Sequence, residues 1–228
     1  MAGTLTWLGH AAFRLDTPGG KRIYLDPWLS NPKCPDAEKT VERVDVVALT
    51  HGHEDHVGEA IEILKQHRPA LIAPVELQGW IADQGVDWLE VPGLNRGGSR
   101  AIDGVTFAMT DARHSSSTAA GYAGGECGIV MKLEDGFTIY FAGDTCAFLD
   151  MQLIARLHEP DLAVLPIGDH FTMGPREAAV ALELLGVRRC VPCHYGTFPL
   201  LRGTPDELRE HAPGVEVHAP EPGGSVEL

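Results

Sequence analysis

The chain has 228 residues, of which 18 are basic and 32 acidic, so its formal net charge is -14. A surface this acidic repels phosphate backbones, which argues against nucleic-acid binding, and no apolar run is long enough to span a bilayer. Apolar residues make up 44% of the chain, enough for a core. We expect one domain over residues 1–228, located in the cytoplasm because the N-terminus lacks a basic segment followed by an apolar run.

Apolar periodicity and turn residues predict the secondary structure in chain order. Strands are expected at 4–8, 12–16, 22–25 and 44–49, followed by a helix at 57–67. A strand at 70–73, a helix at about 75–83, a strand near 88–91 and a Gly-rich loop at 93–99 come next. Strands follow at 105–109, 128–133 and 137–142, then a helix at 149–158, a strand at 162–166 and a helix at 175–185. The chain ends with a strand at 190–193, a helix from 204 and edge strands at 215–217 and 225–228. Two sheets packed together with helices outside would fit this order.

The segment at residues 50–56 carries the strongest chemical pattern. His51, His53, Asp55 and His56 place four potential metal ligands within six residues, where an apolar strand ends and a helix begins. Imidazole and carboxylate together suit zinc, iron, manganese or nickel. His51 and His53 project to the same side of an extended turn and can reach one ion, whereas the later pair can reach a second.

So short a segment cannot complete two coordination shells, so further ligands are expected at other strand ends. His114 follows the strand at 105–109, Asp144 follows the strand at 137–142, and His194 follows the strand at 190–193. Each of these residues is ambiguous alone. Together with the cluster they fit one rim of a sheet.

These motifs resemble the metallo-β-lactamase superfamily, which carries an H-x-H-x-D-H motif, and more closely its UlaG-like branch of metal-dependent hydrolases. The matching landmarks run in order along nearly the whole chain. They are residues 8–11 (LGHA), 26–27 (DP), 50–56 (THGHEDH), 114–117 (HSSS), 142–145 (AGDT), 166–169 (PIGD), 171–174 (FTMG) and 194–197 (HYGT).

The resemblance implies an α+β fold, a four-layer αββα sandwich of two mixed sheets with external helices and with metals at one edge. It also implies a ligand set. One ion is assigned to His51, His53 and His114, the other to Asp55, His56 and His194, and Asp144 bridges the two. His10 and Asp26 match landmarks near the site and are expected to orient the ligands from outside the coordination shell.

Two such ions predict a hydrolase in which a metal-held hydroxide attacks a small ester, lactone, amide or phosphodiester. The expected cofactor is a pair of Zn²⁺ ions, with Mn²⁺, Fe²⁺ and Ni²⁺ as alternatives. Asp55 is expected to orient the nucleophile. Tyr195, His170 and Thr172 are expected to contact substrate or to donate hydrogen bonds to developing negative charge, with His170 and Tyr195 also as catalytic candidates.

Two other functions use the same ligands, namely an iron-dependent oxidoreductase and a non-catalytic metal-binding protein. We expect a small-molecule substrate, no nucleic-acid or membrane partner, and an assembly of identical subunits. The five cysteines are expected to be free thiols, although Cys190 and Cys193 have the spacing of a redox or zinc-binding pair.

Overall fold

Residues 2–228 are described by a computed structural model, in which two β-sheets face each other. The strands are β1 (Thr4–Trp7), β2 (Phe13–Asp16), β3 (Arg22–Leu25), β4 (Val46–Ala48), β5 (Ala70–Ile72), β6 (Ser99–Ile102), β7 (Val105–Thr110), β8 (Ser117–Thr118), β9 (Gly121–Tyr122), β10 (Gly128–Lys132), β11 (Thr138–Phe141), β12 (Leu162–Pro166), β13 (Arg189–Cys193), β14 (Glu216–Val217) and β15 (Ser225–Glu227). The helices are α1 (Glu54–Val57), α2 (Ala60–His67), α3 (Val75–Asp83), α4 (Met151–His158), α5 (Pro175–Leu185) and α6 (Pro205–His211).

The first sheet has the strand order β15-β1-β2-β3-β4-β5 and the second has the order β14-β13-β12-β11-β10-β7-β6. Both are mixed. In the first sheet β3, β4 and β5 are parallel, and in the second β11 to β14 are parallel. The connections therefore bring the C-terminal ends of β4, β7, β11 and β13 to one edge of the molecule.

Three apolar clusters hold four layers together. The central cluster joins the inner faces of the two sheets, where the rings of Phe13 and Phe141 lie 5.8 Å apart. A second cluster packs the outer face of the second sheet against α4, α5 and α6. A third packs the outer face of the first sheet against α1, α2 and α3. This arrangement confirms the predicted αββα sandwich.

Two local predictions are wrong. No strand forms at 88–91, because the Val91 carbonyl accepts a hydrogen bond from the Gln78 side chain and Pro92 has no N–H for a ladder. The helix predicted at 57–67 is two helices, broken at Gly58. Its φ is +42°, and a Cβ there would lie 2.3 Å from the Trp28 backbone. The strand β6 and the hairpin of β8 and β9 were not predicted.

The cysteine pair in β13 is divided between two layers. Cys190 lies in the helix-side cluster and Cys193 in the cluster between the sheets, and all five cysteines are free thiols. Residues i and i+3 of a strand face opposite sides, so these two thiols cannot meet without breaking the strand. No helix within residues 2–228 has the length and apolarity that crossing a bilayer requires.

Candidate metal centre

The loop after β4 delivers four of the predicted ligands to the sheet edge. His51 and His56 are fully buried, whereas His53 and Asp55 are half-buried. The loop passes under the β8–β9 hairpin at Gly52, where a Cβ would lie 2.7 Å from the Ala123 Cβ. Any larger residue at 52 would therefore push the loop and the hairpin apart.

The second sheet supplies the other three predicted ligands from its strand ends. The Asp144 Oδ2 atom lies 3.4 Å from the His56 Nε2, 3.5 Å from the His114 Nε2 and 3.2 Å from the His194 Nε2. One carboxylate oxygen thus stands between a histidine of the first sheet and two of the second. The structure brings all seven predicted ligands together at the junction of the two sheets.

The potential ligand atoms fall into compact groups. The histidines His51, His53 and His114 offer atoms that all lie within 4.8 Å of one another. A second group with the same spacing comprises His10, Asp55, His56 and His194. Apart from Asp144, these groups match the two ligand sets implied by the sequence, with His10 added to the second set. A third group, Asp26, His51 and His56, contains one histidine of each set.

Asp26 and Thr50 fix the tautomers of two of these histidines. The Asp26 carboxylate can only accept, so the His56 Nδ1–H donates to it at 2.7 Å and Nε2 is the nitrogen that faces Asp144. The Thr50 hydroxyl donates to Asp26 at 2.6 Å and, having one proton, accepts from the His51 Nδ1–H at 2.9 Å. Both imidazoles therefore offer Nε2 as the ligand atom. Burial lowers the pKa of His51. Burial would also lower the pKa of His56, but Asp144 and Asp26 outweigh it and raise that pKa well above its usual value, so His56 releases a proton when it binds a metal.

His10 supports the site from behind. Its Nε2 donates to the Asp55 carboxylate at 3.0 Å, and its Nδ1 accepts from the Thr197 hydroxyl, also at 3.0 Å. Its backbone carbonyl accepts the His194 N–H at 2.9 Å. Through these contacts, His10 positions one predicted ligand by its side chain and another by its backbone.

Burial and neighbouring charges shift the pKa values of the titratable groups of the site in different directions. Burial lowers the pKa of His51, and it lowers the pKa of His10 to about 4, so both are neutral at pH 7. Burial would also lower the pKa of His194, but the Asp144 carboxylate outweighs it and raises that pKa to about 9. The Asp144 pKa is itself held well below its usual range by His194 and His56 despite burial.

The residues present fit divalent cations. Among residues 2–228, the His56 Nε2 and Asp144 Oδ1 atoms are buried without any hydrogen-bond partner. Buried polar atoms are normally paired, so two orphaned atoms facing one cluster of histidines are best explained as metal ligands. Imidazole nitrogen and carboxylate oxygen are donors that zinc and related ions accept.

Several site residues adopt a left-handed backbone. The φ angles are +52° at His10, +43° at Asp26 and +54° at His194, a region that costs a residue with a Cβ about 1–3 kcal/mol. Each lies directly after or near a strand end, where the chain must turn sharply to aim the side chain into the site.

The predicted substrate contacts lie at different distances from this cluster. The His170 ring packs against Phe171 in the loop after β12, and Thr172 is half-buried in the same loop, which touches the Asp144 loop through Met173 and Thr145. The Tyr195 ring instead stacks on Trp7 at 5.1 Å and lines a separate cavity of about 300 Å³ that contains none of the predicted ligands.

Sequence reasoning named His10 and Asp26 as residues that orient the ligands, and both hydrogen-bond to a predicted ligand, but it gave no such role to Thr50, Thr197 or Glu126. Thr50 and Thr197 contact histidine nitrogens, and the Glu126 carboxylate accepts the His114 backbone N–H at 3.0 Å. Thr50 and Thr197 each adjoin a recognised motif, which is a usable signal. Glu126 stands in a Gly-rich segment with no pattern that could have identified it.

Comparison with known proteins agrees with this geometry. A family model described as a beta-lactamase superfamily domain matches residues 21–195. A UPF0173 metal-dependent hydrolase from Koribacter versatilis is 46% identical over 224 residues, which cover 96% of this chain and 95% of that protein.

Two solved structures share the fold over nearly their whole length. The metallo hydrolase Igni18 from the archaeon Ignicoccus hospitalis superposes with a TM-score of 0.88 at 34% identity, covering 100% of this chain and 99% of that one. An isothiocyanate hydrolase from Delia radicum gut bacteria gives a TM-score of 0.72 at 25% identity, covering 99% and 98%.

Proposed function

The chain belongs to the beta-lactamase superfamily and is a metal-dependent hydrolase, and on that premise we propose that it cleaves a small ester, lactone, amide or phosphodiester at a dinuclear centre. The observation that carries the proposal is the position of Asp144, whose Oδ2 lies within 3.5 Å of histidines from both ligand groups. A carboxylate placed there can serve two neighbouring ions.

Under this proposal, one ion would be held by His51, His53 and His114 and the other by Asp55, His56 and His194, with Asp144 available to both. Two divalent cations, Zn²⁺ in the first instance, would supply Lewis acidity and lower the pKa of water at the site towards neutral pH. Assignment to the UlaG-like branch of the superfamily remains a prediction.

The protein's own side chains would prepare the attack. Burial alone would raise the pKa of Asp55, but hydrogen bonds from His10 and His194 hold it low, so this carboxylate is ionised at pH 7. It can therefore accept a hydrogen bond from the attacking water and orient it. His170 and Thr172 are proposed as rim contacts to substrate, whereas Tyr195 lines a separate cavity and receives no role.

A metal-reconstitution experiment tests the proposal. Purified protein is stripped with a chelator, reloaded with Zn²⁺ or Mn²⁺, and screened against aryl esters, lactones and phosphodiesters. We expect turnover only in the reloaded protein and two ions per chain by elemental analysis. Oxygen consumption without hydrolysis would instead support the iron-dependent oxidoreductase.

An Asp144→Asn variant addresses the shared carboxylate. It should bind fewer ions per chain and lose most turnover, because an amide is a poor bridging ligand. The matched control is Asp161→Asn, at the opposite end of the same parallel strands, where the carboxylate accepts the Thr138 N–H. Full metal content in Asp144→Asn, or equal losses in the two variants, would contradict the shared role.

A further inference from the structure

A cavity of about 460 Å³ opens beside the candidate metal centre. His53 belongs both to its wall and to the first ligand group, so the two spaces adjoin at this side chain. The opposite walls are Val57 and Ile61 from the α1–α2 segment, Trp80 from α3, and the hairpin strand β8.

The wall formed by Val57, Ile61 and Trp80 is apolar and rests on the third core cluster. Ile61 and Trp80 are half-buried, since each packs on the third core cluster on one side and faces the cavity on the other. Such side chains gain free energy when an apolar group covers their remaining exposed surface. The hairpin cannot move inward, because Gly52 already lies in close contact with it.

The charge on this wall is negative. Glu54 and Glu62 both line the cavity, and neither carboxylate has an ion-pair partner among the described residues. The lining includes no lysine or arginine. A phosphate or carboxylate group at the end of the cavity away from His53 would meet two like charges and no positively charged side chain.

From these observations we infer that the cavity binds the non-reacting part of the substrate, and that this part is apolar and uncharged or cationic. The inference rests on the proposed function and narrows it. Neutral esters, lactones or amides with an apolar substituent are the preferred substrates, and phosphodiesters are disfavoured. With the substituent between Trp80 and Ile61, the adjacent scissile bond lies towards His53 and the candidate ions.

Ligand binding tests the cavity without requiring any turnover. The probes are hexan-1-ol and hexanoate, which share an alkyl chain and differ in charge, added to metal-loaded protein while the Trp80 indole N–H resonance is followed by NMR. Hexan-1-ol should shift this resonance equally in the parent protein and in Glu54→Gln combined with Glu62→Gln, whereas hexanoate should bind more tightly to the double variant, because the ions attract it equally in both proteins. An unmoved Trp80 resonance, or equal binding of hexanoate to the two proteins, would overturn the inference.

Kinetics with a matched pair of variants test its role in substrate selection. Trp80→Ala should lower kcat/KM for 4-nitrophenyl hexanoate by about tenfold or more, chiefly by raising KM. The effect on kcat/KM for 4-nitrophenyl acetate, whose acyl group is too short to reach Trp80, should be much smaller. Trp88→Ala is the control, since Trp88 packs on the same core cluster but lies outside the cavity. Equal effects of the two variants on the hexanoate ester would refute the assignment.

Two further variants separate folding from recognition. Ile61→Trp should fill the cavity, so that the hexanoate ester is lost while the acetate ester is retained. Glu54→Gln combined with Glu62→Gln should raise the ratio of kcat/KM for an anionic ester, 4-nitrophenyl hemisuccinate, to that for the neutral hexanoate ester. An unaltered hexanoate-to-acetate ratio in Ile61→Trp, or an unaltered preference against the anionic ester, would count against the inference. Absence of all turnover with a shifted Trp80 resonance would reject the proposed function alone.

Discussion

Replacement of Asp26 by Asn offers a sharp test of how the candidate metal centre is organised. Asp26 accepts three hydrogen bonds, from the Thr50 N–H at 2.8 Å, the Thr50 hydroxyl at 2.6 Å and the His56 Nδ1–H at 2.7 Å. An asparagine keeps the shape and tolerates the left-handed backbone of this position. Its amide nitrogen, however, is a donor where the carboxylate oxygen accepted two bonds.

The consequence reaches the ligands through the tautomer of His56. To accept from the new amide, His56 would carry its proton on Nε2, the atom that faces Asp144, and could no longer coordinate. Changes in residues that orient metal ligands typically cost about 10–100-fold in metal affinity, which corresponds to about 1.4–2.8 kcal/mol. We therefore expect Asp26→Asn to bind Zn²⁺ about 10–100-fold more weakly than the parent protein. Its thermal unfolding should remain cooperative but have a lower midpoint temperature.

The assay is competition for Zn²⁺ against a chromophoric chelator, with circular dichroism and thermal melting to monitor the fold. Asp45→Asn is the matched control, because Asp45 lies at the other end of β4 and accepts from the Arg22 N–H and the Arg43 guanidinium. If Asp26→Asn has the melting curve of the parent protein and its affinity for Zn²⁺ lies within about threefold of the parent value, Asp26 does not control the tautomer of His56.

Three other expectations follow from the structure. Gly52→Ala should lower turnover and thermal stability, because its Cβ would meet the hairpin at 2.7 Å, whereas Gly79→Ala, with open space around it in α3, should be neutral or stabilising in the same melting and rate assays. The pKa of His194 is about 9 in the metal-free protein, so this residue is protonated at pH 7 and must lose its proton to bind a metal. Calorimetry in buffers of different ionisation enthalpy should therefore show proton release on Zn²⁺ binding. The affinity for Zn²⁺ should rise as the pH increases towards 9. Treatment of the folded protein with a thiol oxidant should leave Cys190 and Cys193 unlinked by mass spectrometry, since they belong to different layers, and an intramolecular disulfide between them would contradict the strand assignment.

The positions of most strands and helices were predictable because apolar periodicity is a local property of the sequence, whereas the four-layer sandwich was predicted from the resemblance to the superfamily. The strand at 44–49 and the helix at 175–185 appear as Val46–Ala48 and Pro175–Leu185, with the helix bounded by Pro175 and Gly186. The region from 88 to 102 was not predictable in this way. There a side chain, Gln78, satisfies a backbone carbonyl that a strand would otherwise have paired, and such contacts depend on distant parts of the chain.

For the candidate site, too, one part could be predicted from the sequence and another part could not. The histidines and aspartates adjoin recognisable strand ends, so their convergence at one edge followed from topology. Their metal occupancy and individual roles remain predictions. The resemblance identified His10 and Asp26 as residues that orient the ligands, but other orienting contacts could not be predicted because they join distant parts of the chain, such as the Glu126 carboxylate with the His114 N–H and the Thr197 hydroxyl with His10. The position of the Tyr195 ring likewise depends on a long-range contact, its stacking on Trp7.

The left-handed backbone at His10, Asp26 and His194 has a consequence for engineering. Selection for thermal stability alone favours glycine or asparagine at positions with positive φ, because these residues adopt the left-handed backbone with little strain. Thermostability screens on this scaffold will therefore tend to enrich glycine or asparagine at 10 and 194 while catalytic output falls, whereas Asp26 is retained because its three hydrogen bonds also stabilise the fold. Thermal stability and catalytic activity therefore place opposite demands on positions 10 and 194, and mutant libraries designed to raise thermal stability should leave residues 10, 26 and 194 unchanged.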